Sequence, residues 1–228
     1  MPNTALIIGN SDGIGLALTR ELLNRSWTII GVSRSESPIA GEPYTHHVIE
    51  VQQPEYTSLL QSILKDHPDL ALCLYCPGIG ELLNPRDMQN EVNIFEVNLT
   101  GLVKTAAVII PAMVATGKGH LIGLSSVADD MLSPEAPSYH ASKAGFSAYL
   151  ESLALALKKD GVAVTNVRFG FVDTKMAQGD VKPFMMSLDQ AVNHLMRCID
   201  KQPVRYTAPK IVIPLVKFRK WMLQLKRG

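Results

Sequence analysis

Thr4-Ala-Leu-Ile-Ile8-Gly9-Asn-Ser-Asp-Gly13-Ile14-Gly15, running on as Leu16 to Asn24, is the stretch that decides the fold. Five residues without a charge, four of them apolar, make a short buried strand. A glycine-rich turn follows at once, and then a helical pattern. Strand, glycine turn and helix in that order form a phosphate cradle. Glycines let the backbone approach a pyrophosphate, and the helix N-terminus supplies N–H donors and positive potential. Gly9, Ser11, Asp12, Gly13, Ile14 and Gly15 are the residues of that cradle. The spacing Gly-x-x-x-Gly-x-Gly differs from the common Gly-x-Gly-x-x-Gly, and a plain strand-to-helix turn is the competing reading.

A second apolar run, Trp27 to Val32, ends at Ser33-Arg34-Ser35. Where such a strand meets an adenosine ribose, a carboxylate would accept from the 2′-hydroxyl and an arginine would accommodate a 2′-phosphate. No carboxylate appears before Glu36, so Ser33 and Arg34 favour NADP(H) over NAD(H). The alternative is a solvated loop arginine.

Beyond this unit the chain alternates. Strands are predicted near 4–9, 27–33, 45–51, 70–76, 119–126, 162–169 and 206–213, and helices over about 13–25, 55–66, 91–115, 139–159 and 187–201. Such alternation predicts an α/β fold, a Rossmann-type doubly wound parallel sheet with helices on both faces. A length of 228 residues fits one unit with a sizeable core, and no linker or repeat divides it. Ligands of such sheets bind beyond the strand C-termini, where Gly9, Arg34, Gly78, Ser126 and Gly170 all fall.

Ser138-Tyr-His-Ala-Ser-Lys143 places Tyr139 and Lys143 four residues apart on a predicted helix. At that spacing two side chains share a face, about 5–6 Å apart at Cβ. A free phenol titrates near pH 10, so it is a poor proton donor or acceptor at neutrality. A neighbouring ammonium and the helix N-terminus are both expected to lower that value, fitting Tyr139 to exchange a proton with a carbonyl or alcohol oxygen. Adjacent helix residues diverge, so His140 is expected to point away from this face.

On these residues the chain resembles the short-chain dehydrogenase/reductase family over nearly its whole length. The matching pieces, in family order, begin with Gly9-x-x-x-Gly13-Ile14-Gly15, Glu50-Val51 and Asn98 in Val-Asn-Leu-Thr-Gly. Ser125-Ser126, Tyr139-x-x-x-Lys143 and Gly170-Phe-Val-Asp-Thr174 follow. The resemblance implies a catalytic set of Asn98, Ser126, Tyr139 and Lys143. Tyr139 would be the general acid/base, and Ser126 would hydrogen-bond the substrate oxygen. Lys143 would hold the nicotinamide ribose and depress the Tyr139 pKa. Asn98 would hold a water linking Lys143 to solvent. Glu50 and Val51 would lie by the adenine, and Val172 and Thr174 by the carboxamide. Gly78 would let the backbone approach the cofactor. The family is commonly dimeric or tetrameric through two long helices, here about 91–115 and 139–159, and the second is apolar over more than one face.

The chain departs from the family pattern in places. Tyr75-Cys76-Pro77-Gly78 stands where Asn-Asn-Ala-Gly is usual, and Phe169-Gly170 where Pro-Gly is usual. Asp12 stands where NADP-preferring members often carry a basic residue. The usual C-terminal Gly-Gly is absent.

Residues 171–186 are predicted to form a substrate lid, apolar through Phe171, Met176, Phe184, Met185 and Met186. Either these face an apolar carbonyl or alcohol substrate or they pack on the body of the protein. The tail 214–228 carries Leu215, Phe218, Met222 and Leu225 at helical spacing among five basic residues. It is expected to pack on the protein or a partner subunit rather than lie on a membrane.

A formal charge of +1, spread along the chain, suggests no nucleic-acid partner. Apolar runs read as too short to span a bilayer, no leader pattern opens the chain, and three cysteines fit a reducing compartment, so the cytoplasm is expected. Cys73 and Cys76 form a C-x-x-C, but on a strand they point to opposite faces, so no metal site is expected. The leading function is NADPH-dependent carbonyl reduction or the reverse. The alternatives are a non-catalytic NADP-binding regulator or scaffold and, more distantly, an epimerase or dehydratase.

Overall fold

The computed structural model describes residues 3–177 and 184–214. The described strands are β1 (Thr4–Ile8), β2 (Thr28–Ser33), β3 (Tyr44–Val48), β4 (Leu72–Tyr75), β5 (Gly119–Ser126), β6 (Val162–Phe169) and β7 (Arg205–Ala208). They form one parallel sheet in the order β3-β2-β1-β4-β5-β6-β7. The chain winds outward from β1 to β3 and then from β4 to β7. The crevice between β1 and β4 is therefore the switch point where ligands of this architecture bind.

The helices are α1 (Gly13–Asn24), α2 (Tyr56–Asp66), α3 (Gln89–Phe95), α4 (Gly101–Thr116), α5 (Pro137–Ala156) and α6 (Leu188–Lys201). Both faces of the sheet are covered, as the uninterrupted apolar strands require. Leu6 and Ile8 of β1 point into a core with Tyr56, Leu102, Ile109 and Phe146, under α2, α4 and α5. Ala5 and Ile7 point into a second core with Leu18, Leu22 and Leu195, under α1 and α6. Gly123 in the middle of β5 lets α5 settle onto the sheet, because a Cβ there would lie 2.5 Å from Leu150 and 2.8 Å from Phe146.

Local chemistry sets the helix ends. Asp12 caps α1, accepting from the Gly13 N–H. Pro137 opens α5, where its missing N–H costs nothing. Ser187 and Gln190 form a reciprocal capping box on α6. Gly117 closes α4 in the left-handed conformation.

Three expectations need correction. The helix predicted over 91–115 is interrupted by a π-helical turn at Glu96–Thr100, between α3 and α4. The strand predicted over 206–213 stops at Ala208, because Pro209 has no N–H to continue the ladder, and Val212 turns back into a buried position. The run Gln89–Thr116 is long and apolar enough to cross a bilayer by length and composition, with mean hydropathy 1.7 in its most apolar window. Here it lies against the sheet, with Leu102, Ala106, Ile109 and Met113 in the core. Residues 178–183 of the predicted lid and 215–228 of the predicted tail lie outside the described residues.

Candidate active site

The π-helical turn explains how Asn98 reaches the site. Widening the helix by one residue frees backbone groups, and such turns recur at functional positions. The turn is held from below by Tyr75, whose hydroxyl donates to the Val97 carbonyl (2.6 Å). Gly101 makes room for that phenol, since a Cβ would lie 2.2 Å from the Tyr75 oxygen. The tyrosine that departs from the family pattern therefore has a structural task. Asn98 itself is fully buried. Its Oδ1 accepts from the Ile79 N–H (2.8 Å), and its Nδ2 donates to the Ile79 carbonyl (2.9 Å) and to Ser142 Oγ (3.0 Å). Its amide thus clamps the loop after β4 to α5.

That clamp sets Gly78 and Gly80 against α5. A Cβ on Gly78 would stand 3.2 Å from Lys143 Nζ, and one on Gly80 would stand 2.8 Å from the Tyr139 ring. Lys143 is buried, and its Nζ donates to the Leu124 carbonyl (3.0 Å). It lies 4.9 Å from the centre of the Phe146 ring and 6.0 Å from that of Tyr139. Burial lowers its pKa to about 8, opposed by the nearby Cys76 and Asp129.

The expected depression of the Tyr139 pKa is not met. Burial raises it, a hydrogen bond with Ser126 pulls it back, and the Asp129 carboxylate raises it further. The ammonium of Lys143 spends its hydrogen bond on β5 rather than on the phenol, so desolvation dominates. Ser126 Oγ accepts from the Ala128 N–H (3.2 Å), and its own hydrogen goes to the Tyr139 oxygen. His140 turns away as expected, its Nδ1 within 3.0 Å of the Ala128 carbonyl.

Beneath Ser126 lies a charged pair that sequence reasoning missed. The Arg168 guanidinium binds the Asp129 carboxylate through Nε (2.6 Å) and Nη2 (2.5 Å), with both side chains at most 5% exposed. Asp130 and Thr207 take further guanidinium N–H groups. Ser147 Oγ donates to Asp129 (2.5 Å) and shares a 2.8 Å hydrogen bond with Ser125. The signal in the sequence was an arginine inside a mainly apolar strand, with two aspartates just beyond Ser126.

The glycine-rich loop has the backbone that the glycine pattern predicts. Gly9 and Gly13 have φ of +80° and +54°, a conformation that glycine adopts without strain. A Cβ on Gly9 would press on Pro77 at 3.1 Å, and one on Gly13 would meet Thr174 at 3.4 Å. The phosphate loop therefore touches both the β4 loop and the segment after β6. Asp12 pairs with Lys175 across the same gap (2.7 Å), which holds its carboxyl below the ordinary range. The first-turn N–H groups of Ile14 and Gly15 have no intrahelical acceptor and suit an anion. A glycine cradle that any Cβ would fill, at the N-terminus of α1, fits a dinucleotide pyrophosphate.

The other predicted cofactor residues are more scattered. Ser33 is buried and Arg34 exposed at the end of β2, with no ion pair to Arg34 among the described residues. Glu50 is exposed beyond β3. Val51 is buried against Gly101 and so belongs mainly to the core. Gly170 donates to the Ala208 carbonyl (3.0 Å), and Val172 is buried. Phe169, in place of the usual proline, fills the second core.

The predicted lid divides. Met186 is buried, paired through its backbone with Phe171 and Asp173. Phe171, Met176, Phe184 and Met185 are exposed, as are Leu82 and Leu132 on neighbouring loops. Cys73 faces one core and Cys76 the other. Among the described residues no three potential metal ligands converge.

A family profile described as short chain dehydrogenase matches residues 3–183. An uncharacterized oxidoreductase of Myxococcus xanthus is 27% identical over 226 residues, covering 92% of this chain and 89% of its own. A 3-oxoacyl-(acyl-carrier-protein) reductase, FabG, of Vibrio cholerae is 28% identical, covering 76% of this chain and 75% of its own. Among solved structures, a short chain dehydrogenase from Burkholderia cenocepacia in complex with NADP superposes with a TM-score of 0.86 at 20% identity, covering 99% of this chain and 97% of that one. One from Sphingobium yanoikuyae in complex with NADPH gives 0.82 at 21%, covering 98% and 96%.

Proposed function

The chain belongs to the short-chain dehydrogenase/reductase family and is an NAD(P)-dependent oxidoreductase, and from that premise we propose that it uses NADPH to reduce an apolar ketone or aldehyde. The observation that carries this is the Tyr139 cluster. The Tyr139 ring sits against Gly80 and beside Ser126, with Lys143 and Asn98 behind it.

Bound NADPH would supply the hydride. The chain's own residues then have these parts. Ser126 turns its hydroxyl hydrogen from the Tyr139 oxygen to the carbonyl oxygen, steadying charge as it develops. Tyr139 gives the proton to that oxygen, its phenol being neutral at pH 7. Lys143, as an ammonium, takes a ribose hydroxyl and favours return of the tyrosine proton. Asn98 keeps Gly78 and Gly80 at the distance that leaves both side chains in place. The cradle Gly9, Ser11, Asp12, Gly13, Ile14 and Gly15 receives the pyrophosphate, and Glu50, Val51, Gly170, Val172 and Thr174 line the remainder. Arg34 favours the 2′-phosphate. The exposed Phe171, Phe184, Met185 and Leu82 argue for an apolar substrate.

A purely regulatory role is less well supported. Its motive was the altered Tyr75 and Phe169 segments, and both have structural tasks.

The test is a screen of apolar ketones and aldehydes with NADPH and NADH, read by loss of absorbance. Turnover with NADPH and preference over NADH are expected, and Arg34→Asp should reverse the preference. No turnover of any apolar carbonyl, or equal use of both cofactors by the wild type, would count against the respective part.

Residues 1–228 are proposed to act as one catalytic unit, as a homodimer or homotetramer. On α4 the exposed positions include Val103, Ala107, Pro111 and Val114, and on α5 they include Ala144, Ala148, Ser152 and Leu155. Both are stripes at helical spacing, small enough for close approach. Light scattering should give a multiple of 24.9 kDa, and a monomer at micromolar concentration would end this proposal.

A further inference from the structure

Behind the Ser33–Arg34–Ser35 turn runs a chain of hydrogen bonds that the scheme above leaves unused. Asn10, in the glycine-rich loop, is fully buried, and its Nδ2 donates to Tyr44 Oη (2.8 Å). Tyr44 Oη lies 2.9 Å from His46 Nδ1. Because the phenol already accepts from Asn10, its own proton is free to go to that nitrogen. The imidazole proton then sits on Nε2, which lies 3.1 Å from the Ser35 carbonyl and 3.3 Å from Ser33 Oγ. Ser33 Oγ donates to the same carbonyl (3.0 Å). Every donor points one way, from the phosphate loop to the turn that carries Arg34.

The relay has room made for it. A Cβ on Gly31, in the middle of β2, would stand 2.1 Å from Asn10 Nδ2. Tyr44 and His46, two apart on β3, share one face of the strand, and their rings stack at 6.0 Å. Arg34 itself is exposed and has no ion pair among the described residues. Nothing on its own side chain fixes where it points, and the bonds that order its backbone are those on Ser33 and Ser35.

Resting on the NADP(H) reading of Arg34, we infer that His46 is a positioning residue for cofactor choice. Through Tyr44 and Asn10 it locks the Ser35 carbonyl, and so the Arg34 backbone, in register with the phosphate loop. A cofactor bearing a 2′-phosphate gains from that order, whereas one bearing a 2′-hydroxyl does not meet Arg34 and gains nothing.

The experiment measures NADPH and NADH dissociation constants and melting temperatures for the full-length wild type and for His46→Ala, Tyr44→Phe, Arg34→Ala and the His46→Ala/Arg34→Ala pair. Loss of NADPH affinity by about five- to tenfold is expected in His46→Ala and Tyr44→Phe, with NADH affinity unchanged within about twofold. In the double variant the His46 effect should vanish, because both changes act through one contact. Tyr44→Phe keeps the buried ring and decides the matter if His46→Ala does not fold. Equal losses for both cofactors would mean a role in folding alone and overturn the inference. So would an NADPH preference that survives in His46→Ala and Tyr44→Phe but disappears in Arg34→Ala, and then the Arg34 reading would stand without the relay. A wild type that does not discriminate, or an Arg34→Ala variant with an unchanged ratio, would overturn both.

Discussion

The floor of the candidate site and its rim are built by opposite rules. On the floor, Asn98, Lys143 and Ser142 are buried, and each has a fixed hydrogen-bond partner. Around the rim, Leu82, Leu132, Phe171, Phe184 and Met185 are all at least 39% exposed. Buried polar groups demand partners, and once satisfied they hold one geometry. Exposed apolar side chains demand cover, and they can take it from ligands of many shapes. Under the proposed function the difference separates two jobs: the floor would fix which atom receives a proton, and the rim would decide which molecule carries that atom.

Removing the proton donor should produce the largest effect. Tyr139→Phe keeps the ring against Gly80 and deletes the transferable proton. Turnover should fall by about 10²–10⁴-fold, with cofactor affinity within about twofold of wild type. Single-turnover kinetics together with cofactor titration would check it. Full activity in this variant would make the floor mere architecture.

Next comes the charged pair beneath the floor. Breaking a buried ion pair typically costs about 3–5 kcal/mol, so Asp129→Asn should lower the melting temperature by roughly 10 °C in a chain of this size. It should also alter a pH limit. Burial gives Lys143 a pKa of about 8, against an ordinary 10.5. Cofactor affinity should therefore be full below pH 8 and fall as pH rises through it. Stability moves the other way. Between about 8 and 10.5 the unfolded chain binds more protons than the folded one, so this group's contribution to stability rises with pH. A loss of affinity above pH 8 cannot then be attributed to Lys143-driven unfolding. The Asp129 charge supports the ammonium, so Asp129→Asn should move the affinity midpoint below 8. An unmoved midpoint would reduce the pair to scaffolding.

How far the sequence reaches follows the same division. The inner strands showed because they are largely apolar on both faces, and β1, β5 and β6 fall within a residue of their predicted bounds. Tyr139, Lys143 and Asn98 were legible through spacing and family resemblance. Their electrostatics were not. Whether Lys143 lowers the Tyr139 pKa depends on where one ammonium points, and it points at the Leu124 carbonyl. The pairing of Arg168 could not be read because its partner is 39 residues away in sequence and joins it only when β6 lies beside β5. The phenol of Tyr75 makes sense only once the π-helical turn exists, and no periodicity announces a turn of that kind. β7 was overextended because Ile211, Val212 and Ile213 look like strand, while Pro209 removes the N–H that pairing needs.

The smallest effect tests the rim. Phe184 has φ of +55°, unusual for a bulky side chain, and its ring and the Met185 side chain remain nearly half exposed. Met186, one residue on, is buried and bonded through its backbone to Phe171 and Asp173. The segment is thus anchored at one point and presents its neighbours outward. If those neighbours exist to cover a substrate, polar replacement should cost binding and leave the chemistry alone. Phe184→Ser with Met185→Ser should raise KM for the best apolar carbonyl by about tenfold, the worth of about one lost methylene-sized contact per residue. Turnover at saturation should change less than twofold, because Tyr139, Ser126 and Lys143 are untouched. The melting temperature should hold or rise, since exposed apolar surface contributes nothing to the folded core. A KM that stays put while stability falls would show that these side chains pack on the protein after all. A fall in turnover with KM unchanged would erase the boundary between floor and rim, because the lid would then be shaping the reaction itself.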